Sequence, residues 1–196
     1  MKRFRKILIV LLAILVPVSI GFGFNFFSGE SSDSAENQAM TVAGTLTINQ
    51  ISEAQNLVPG DKICKGVTMN ITSSAVSLLR VKVDIYCADS KTAETDIAPI
   101  KNAGDNWLKG SDGYYYYTQG VKNGDIVKLA EEGIYFNGLN DNVDMNKYQG
   151  KKIKVVANAE LVQAKHGVFA EKWGLSENKD GDIYTKLKKI SNDQGQ

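Results

Sequence analysis

Hydrophobic and polar residues alternate most clearly in the stretch KKIKVVANAELV, residues 151–162. The apolar positions of one parity are Ile153, Val155, Ala157, Ala159 and Leu161, and the polar positions between and beside them are Lys152, Lys154, Asn158 and Glu160. Successive side chains of a strand point to opposite faces, so this pattern predicts a strand with one buried face. Val156 and Val162 interrupt the polar set. We therefore expect the second face of this strand to be partly covered as well.

Shorter segments of the same kind lie upstream, each bounded by Gly, Asn or Asp. In the clearest of them, Leu79, Val81, Val83 and Ile85 alternate with Arg80, Lys82 and Asp84. The others lie at residues 41–48, 63–71, 114–118, 126–129 and 134–136. Several short strands separated by turn residues predict an all-β, antiparallel β-sandwich, which we assign to residues 41–175.

Three further segments depart from the strand pattern. Residues 90–110 are polar and predict a surface excursion, whose apolar anchors are Ile97, Pro99, Ile100, Trp107 and Leu108. Residues 168–175 predict a short helix or turn, with Phe169 and Trp173 packing inward. In the tail, residues 176–196, Ile183, Leu187 and Ile190 have helical spacing. That spacing predicts a short amphipathic C-terminal helix.

The N-terminal residues predict export. Lys2, Arg3, Arg5 and Lys6 precede an uncharged run, residues 7–27, which as a helix would span about 31 Å. That length matches one hydrocarbon core, and the basic cluster predicts that the rest of the chain lies outside the cell. Residues 1–27 are either a cleaved signal peptide or a retained signal-anchor helix in the membrane, and both interpretations stay open. The small polar residues at 28–40 predict a flexible linker.

The net charge of the chain bears on the kinds of molecule that it could bind. The 196 residues carry a formal net charge of +1, with Lys spread among Asp and Glu. Such a chain has no global field that attracts nucleic acid, so we expect no nucleic-acid partner.

Cys64 and Cys87 are the only cysteines, and an exported location allows a disulfide between them. Cys87 is in phase with the apolar positions of its strand, whereas Cys64 is out of phase with Val67, Met69 and Ile71. Pairing therefore requires a change of phase, which a bulge at Gly66 could supply. The alternative is two thiols, one of them buried.

No pattern of catalytic or metal-binding residues is evident. His166 is the sole histidine, there is no H-E-x-x-H, and a surface-loop histidine is the simplest interpretation. The acidic clusters at residues 140–144 and 178–182 lack the Glu that ends an EF-hand, and we interpret them as plain loops. We predict no catalytic residue, no cofactor and no metal site.

Four consecutive tyrosines, Tyr114, Tyr115, Tyr116 and Tyr117, predict a strand that presents two rings to each face. We expect one pair to pack in the core and the other pair to lie exposed. Exposed tyrosines would suit a contact surface for protein or sugar.

The order of these segments resembles the TasA/camelysin-type family of exported bacterial proteins. The resemblance lies in LVPGDKICKGVTMNITSSAVSLLRVKVDIY, in GYYYYTQGVKNGDIVKLAEEGIYF, and in NKYQGKKIKVVANAELVQA with Trp173-Gly174 after it. It covers residues 41–174 in outline. This chain differs from the family in the residues after Pro17, which are bulky and apolar. Ordinary members have their signal peptide removed, and such residues do not suit a signal-peptide cleavage site.

The resemblance implies a jelly-roll-like β-sandwich on the surface, or in the matrix, of a Gram-positive bacterium. Some members build fibres by inserting an N-terminal strand into the next subunit, which is β-augmentation. The matching donor segment here is residues 41–48, with Thr41, Val42, Leu46 and Ile48 as its strand residues. The expected partners are further copies or other surface and matrix proteins, plus the membrane if residues 7–27 are retained.

Two other functions stay open. Some members of the family carry a metalloendopeptidase label, which would make the chain a membrane-anchored hydrolase. A tethered ligand-binding module using the loops near Asp105 or Asp141 is the third hypothesis.

Overall fold

A computed structural model describes residues 45–48, 51–88, 90–137, 148 and 150–194. The predicted signal or anchor segment and the linker lie outside these residues, as do Thr41 and Val42. No helix in the described part of the chain is both long enough and apolar enough to cross a bilayer.

The described chain is mostly antiparallel β-structure followed by two helices. The strands are β1 (Thr45–Ile48), β2 (Ile51–Ala54), β3 (Lys62–Cys64), β4 (Val67–Thr72), β5 (Ser77–Cys87), β6 (Trp107–Lys109), β7 (Tyr114–Tyr117), β8 (Ile126–Leu129), β9 (Ile134–Tyr135) and β10 (Ile153–Gln163); the helices are α1 (Val168–Trp173) and α2 (Glu177–Asp193). They form a three-stranded sheet, β1-β4-β8, a five-stranded sheet, β2-β10-β5-β7-β6, and a two-stranded sheet, β3-β9. The antiparallel β-rich fold with a C-terminal helix is confirmed.

Strands β5 and β10 form the centre of the five-stranded sheet. They pair antiparallel along their full length, from Ile153 opposite Cys87 to Gln163 opposite Ser77. The alternation predicted for both strands is confirmed, because Val81, Ile85 and Val155 are buried on the same face of the sheet.

The larger core lies between the sheets. The three-stranded sheet contributes Val67, Met69, Ile71, Val127 and Leu129; the five-stranded sheet contributes Leu79, Val81, Val83, Ile85, Cys87, Trp107, Tyr115, Ile153, Val155 and Ala159; β3 and β9 contribute Ile63, Cys64 and Ile134. Apolar side chains that leave water at this interface are the main source of stability for the sandwich.

The change of phase expected at Gly66 is present. Cys64 and Val67 are both buried although they are three residues apart, and Gly66 between them has φ +92°. A Cβ on Gly66 would lie 2.1 Å from the carbonyl oxygen of Ala130. Only glycine combines this left-handed backbone with so close an approach.

A smaller core covers the opposite face of the five-stranded sheet. We call residues 168–194, which contain α1 and α2, the helical cap. The smaller core consists of Leu78, Tyr116 and Ala164 with Phe169, Trp173, Leu175, Ile183 and Leu187 of the cap. Val162 packs against it, so the expected cover on the second face of β10 is confirmed.

Three predictions about the remaining segments were wrong in part. The acidic cluster at residues 178–182 lies within α2 and not in a plain loop, and the helix is kinked there at Gly181, with φ 19° and ψ −93°. At the helix start, the carboxylate of Asp180 accepts the backbone N–H of Ser176 (2.9 Å). The excursion at residues 90–110 contains an edge strand, β6. Of its expected anchors, Ile97 and Trp107 are buried, but Pro99 is exposed.

Candidate functional site

Strand β1, the described part of the predicted donor segment, lies at an edge of the three-stranded sheet. Its four residues pair antiparallel with β4, with Thr45 opposite Thr72 and Thr47 opposite Asn70. In the same ladder, Leu46 lies opposite Ile71 and Ile48 lies opposite Met69. Ile71 and Met69 are buried.

The backbone of β4 shows what β1 covers. The N–H of Ile71 donates to the oxygen of Asp125, and the oxygen of Ile71 accepts the N–H of Gly124, both at 2.9 Å on the β8 side. Because peptide groups of a strand alternate in direction, those of Asn70 and Thr72 face β1. Removal of β1 would therefore leave the backbone groups of Asn70 and Thr72 at an open sheet edge.

Strand β2 closes an edge of the other sheet. It begins only three positions after the last residue of β1 and pairs with β10, with Val156 opposite Ile51 and Ile153 opposite Ala54. We call β1 and β2 together the N-terminal strap, because they cover one edge of the three-stranded sheet and one edge of the five-stranded sheet. At the opposite side, the indole Nε1 of Trp107 in β6 donates to the oxygen of Lys128 in β8 (2.8 Å) and joins the two remaining edges.

A second cluster of polar residues lies under the helical cap, on the outer face of the five-stranded sheet. Arg80 is opposite Glu160 on one neighbouring strand and opposite Tyr116 on the other. Its Nε and Nη2 donate to Oε2 of Glu160 at 3.1 and 2.8 Å, and its Nη1 donates to the hydroxyl of Tyr116 at 3.3 Å. The Arg80 side chain is only 11% exposed.

Aromatic rings enclose the guanidinium of Arg80. Its central carbon lies 3.9 Å from the ring centroid of Tyr114 and 5.0 Å from that of Trp173. The hydroxyl of Tyr114 donates to Glu160 at 3.0 Å, and that of Tyr116 donates to Asp112 at 2.6 Å. We call Arg80, Asp112, Tyr114, Tyr116, Glu160 and Trp173 the arginine cluster.

The turn between β6 and β7 positions the second carboxylate. The N–H of Tyr114 donates to Oδ1 of Asp112 at 3.1 Å, and Gly113 follows Asp112 with φ +84°. Gly110 is buried beside them, and a Cβ there would lie 2.5 Å from the Asp112 carboxylate and 2.8 Å from the Tyr116 ring. Glycine at this position therefore lets the carboxylate reach the tyrosine hydroxyl.

The arginine cluster favours the neutral forms of the two tyrosines and the charged, paired form of Arg80. Burial and the hydrogen bond to Asp112 raise the pKa of Tyr116 above its ordinary value. Burial and the hydrogen bond to Glu160 do the same to the pKa of Tyr114. For Arg80, burial lowers the pKa, but the hydrogen bonds to Tyr116 and Glu160 outweigh it, so the pKa is raised. A permanently charged guanidinium between rings and carboxylates suits fixed packing rather than proton transfer.

The structure places the four consecutive tyrosines on two cores. Tyr115 and Tyr117 face the larger core, whereas Tyr116 belongs to the smaller core and Tyr114 packs against it. The expectation that one pair is exposed is wrong, since all four are buried or half-buried. The predicted role of these tyrosines as a contact surface stays a prediction.

The remaining predicted residues do not form a site with one another. Cys64 and Cys87 are both buried in the larger core, and the disulfide between them stays a prediction. His166 is exposed in a 3₁₀ turn, as expected. Asp105 is exposed before β6, and Asp141 lies outside the described residues. Within the part of the chain that the structure describes, no three His, Cys, Asp or Glu residues are grouped closely enough to hold a metal ion.

The arginine cluster was missed by the sequence-based interpretation. Arg80 and Glu160 were recognised only as polar positions of two strands. The sequence does contain one indication: Arg80 and Glu160 are charged residues inside two eleven-residue strands. If the outer face of those strands is covered, each charge needs an oppositely charged or hydrogen-bonding partner.

Comparison with protein families, with characterised proteins and with solved structures finds no match to this chain.

Proposed function

We propose that this chain is an exported structural subunit of a cell surface or extracellular matrix that assembles by passing its N-terminal strand to the next copy. The observation that carries the proposal is the position of β1: it is an edge strand that pairs with β4 alone in its sheet and lies at the N-terminal end of the described chain. The resemblance to the TasA/camelysin family supports the same reading.

Strand exchange keeps the same backbone hydrogen bonds in the assembly as in the single chain. In the single chain β1 occupies its own place beside β4. An identical strand from another copy fits the same register, so exchange needs displacement of β1 but no new interface chemistry. A head-to-tail exchange that does not close on itself produces a filament.

The finer features of fold and location belong to the same proposal. A jelly-roll description of the sandwich is supported by the crossings of the chain between the three-stranded and five-stranded sheets, from β1 to β2, from β4 to β5 and from β7 to β8. Export to the outside of a Gram-positive cell is supported by the basic residues and the uncharged run in residues 1–27.

Electron microscopy of two shortened chains tests the proposal. A chain that begins at Met40 should form filaments in negative stain, more of them as its concentration rises. A chain that begins at Asn49, which lacks β1, should form none. Filaments of equal abundance from both chains would contradict the proposal.

A peptide supplies the matched control. A synthetic peptide of residues 41–48 should bind the chain that begins at Asn49, because it restores the pairing of Thr45 with Thr72 and Thr47 with Asn70. A peptide with the same residues in shuffled order should not bind. Equal binding of the two peptides would show that the peptides bind by nonspecific hydrophobic contact and not through the register of β1.

A further inference from the structure

We propose that the helical cap opens from the five-stranded sheet as one unit while the β-sandwich stays folded. The cap, which carries Trp173, thus acts as a detachable cover over the other five residues of the arginine cluster. The proposal does not depend on the exchange of β1, since β1 pairs with β4 and no residue of β4 belongs to the smaller core under the cap.

The first argument is that the two cores have no residue in common. The larger core lies between the sheets, and the cap residues Phe169, Trp173, Ile183 and Leu187 all belong to the smaller one. Opening the cap therefore removes no side chain from the larger core. Regions that bury few apolar side chains of their own open with lower free energy than the main core.

The second argument is that the charges under the cap do not depend on it. The partners of Arg80 in hydrogen bonds and ion pairs are Glu160, Tyr116 and Asp112, which lie in the sheet or in its β6–β7 turn. The cap contributes the ring of Trp173 to the surroundings of Arg80. Because opening keeps the ion pairs of Arg80 with Glu160 and Asp112, it avoids the cost of leaving the guanidinium buried without a partner.

The third argument is the backbone at the junction between β10 and the cap. His166 and Gly167 are successive residues in the left-handed region, with φ +65° and +66°. A residue with a side chain is strained there, as Gly is not. The N–H of Gly167 donates to Oγ of Ser191 at 2.8 Å, and Ser191 is 4% exposed near the far end of α2. The hydrogen bond from Gly167 to Ser191 thus ties this strained junction to the end of the cap. Opening the cap would break that hydrogen bond and let the backbone of His166 relax.

Opening would change the surface of the sheet. Tyr116 is fully buried when the cap is closed. With the cap open, its ring, the ring of Tyr114 and the guanidinium of Arg80 would face solvent together with two carboxylates. The closed cap therefore hides an aromatic and charged strip of the sheet.

Hydrogen exchange of the full-length chain in detergent, followed by mass spectrometry at increasing low urea concentrations, tests the proposal. Amides of α2 should exchange through an opening that has a lower free energy and a smaller urea dependence than that of β5 and β10. Identical free energies and urea dependences for α2, β5 and β10 would overturn it. This measurement on the unmodified chain decides the proposal even if a variant fails to fold.

A matched pair of leucines refines the test. Leu187 in the smaller core and Leu79 in the larger core are both 0% exposed. Leu79→Ala should speed the exchange of β5 and β10 amides by at least about thirtyfold and leave the cap opening unchanged, because Leu79 stays packed when the cap is open. Leu187→Ala should speed the exchange of α2, β5 and β10 alike, because Leu187 is unpacked both in the open cap and in the unfolded chain. If Leu79→Ala speeds α2 as much as β5 and β10, the cap is part of one cooperative unit and the proposal is wrong.

Discussion

At the scale of single residues, Gly66 determines how the strand before it meets the core. It has φ +92°, and a Cβ would collide with the carbonyl oxygen of Ala130. Gly60 has a similar φ of +95° with nothing within 4 Å. We expect Gly66→Ala to lower the free energy of unfolding by more than about 3 kcal/mol and Gly60→Ala by only about 1 kcal/mol. Urea denaturation measures both, and equal effects would contradict the argument from close approach.

Arg80 and Lys82 lie on the same face of β5 and provide a second comparison. Arg80 is paired under the cap, whereas the Lys82 side chain is 41% exposed and lies 3.8 Å from Asp84. Arg80→Ala should lower the free energy of unfolding by about 2–4 kcal/mol, because two partly buried carboxylates lose their cation. Lys82→Ala should cost at most about 0.5 kcal/mol. If urea denaturation gives similar losses for both, the arginine cluster does not stabilise the fold.

The tyrosines of the arginine cluster predict an alkaline dependence of stability. The pKa of Tyr116 is raised in the folded protein above its ordinary 10.0, so its contribution to stability is complete below pH 10 and is lost as the pH rises above that value. We expect Tyr116→Phe to reduce the fall in unfolding free energy between pH 10 and about 12. In a phenolate absorbance titration, this variant should lose amplitude at the alkaline end. Loss of amplitude near pH 10 instead would contradict the assignment.

Residue-level prediction succeeded where one strand was enough. The phase change at Gly66 followed from Cys64 and Val67 alone. The arginine cluster could not be predicted, because it depends on Arg80, Glu160 and Tyr116 meeting across three strands. Parity along a strand indicates the face on which a residue lies, but not which strand is its neighbour.

At the scale of elements, strand length decided what the sequence could predict. The eleven-residue strands β5 and β10 carry five or more alternations and were predicted with their buried faces. Strands β2, with ISEA, and β6, with WLK, are too short to show a period and lie at sheet edges. Helix α2 begins before its predicted apolar positions: its first turn carries the hydrogen bond from the Ser176 N–H to Asp180 and precedes a kink at Gly181, so apolar spacing does not reveal it.

Substitution of Trp107 tests how the edge strands β6 and β8 are held together. Its indole N–H donates to Lys128 and connects β6 with β8. Trp107→Phe keeps an aromatic ring but removes this donor, and should cost about 1–2 kcal/mol of unfolding free energy. Hydrogen exchange should rise most for amides of β6 and β8. A variant with unchanged exchange in both strands would show that the hydrogen bond does not join the edges.

At the scale of the whole molecule, the five-stranded sheet is covered on both faces, and each cover has a separate role. The larger core packs the three-stranded sheet against one face, and the helical cap covers the other. The N-terminal strap closes one edge of the three-stranded sheet and one edge of the five-stranded sheet. Exchange of β1 would leave the helical cap in place, because β1 pairs with β4 and no residue of β4 belongs to the smaller core.

A reversible cross-link between β1 and β4 measures the central claim most directly. Thr47 and Asn70 are cross-strand neighbours, and Cα atoms in such pairs are about 4.5–5.5 Å apart, within the range of a disulfide. In the shortened chain from Met40 that carries Thr47→Cys and Asn70→Cys, the oxidised protein should form no filaments, and the same sample should form them after reduction. Thr47→Cys alone is the control and should form filaments in both states. Filaments from the fully oxidised, intramolecularly cross-linked chain would contradict assembly by exchange of β1.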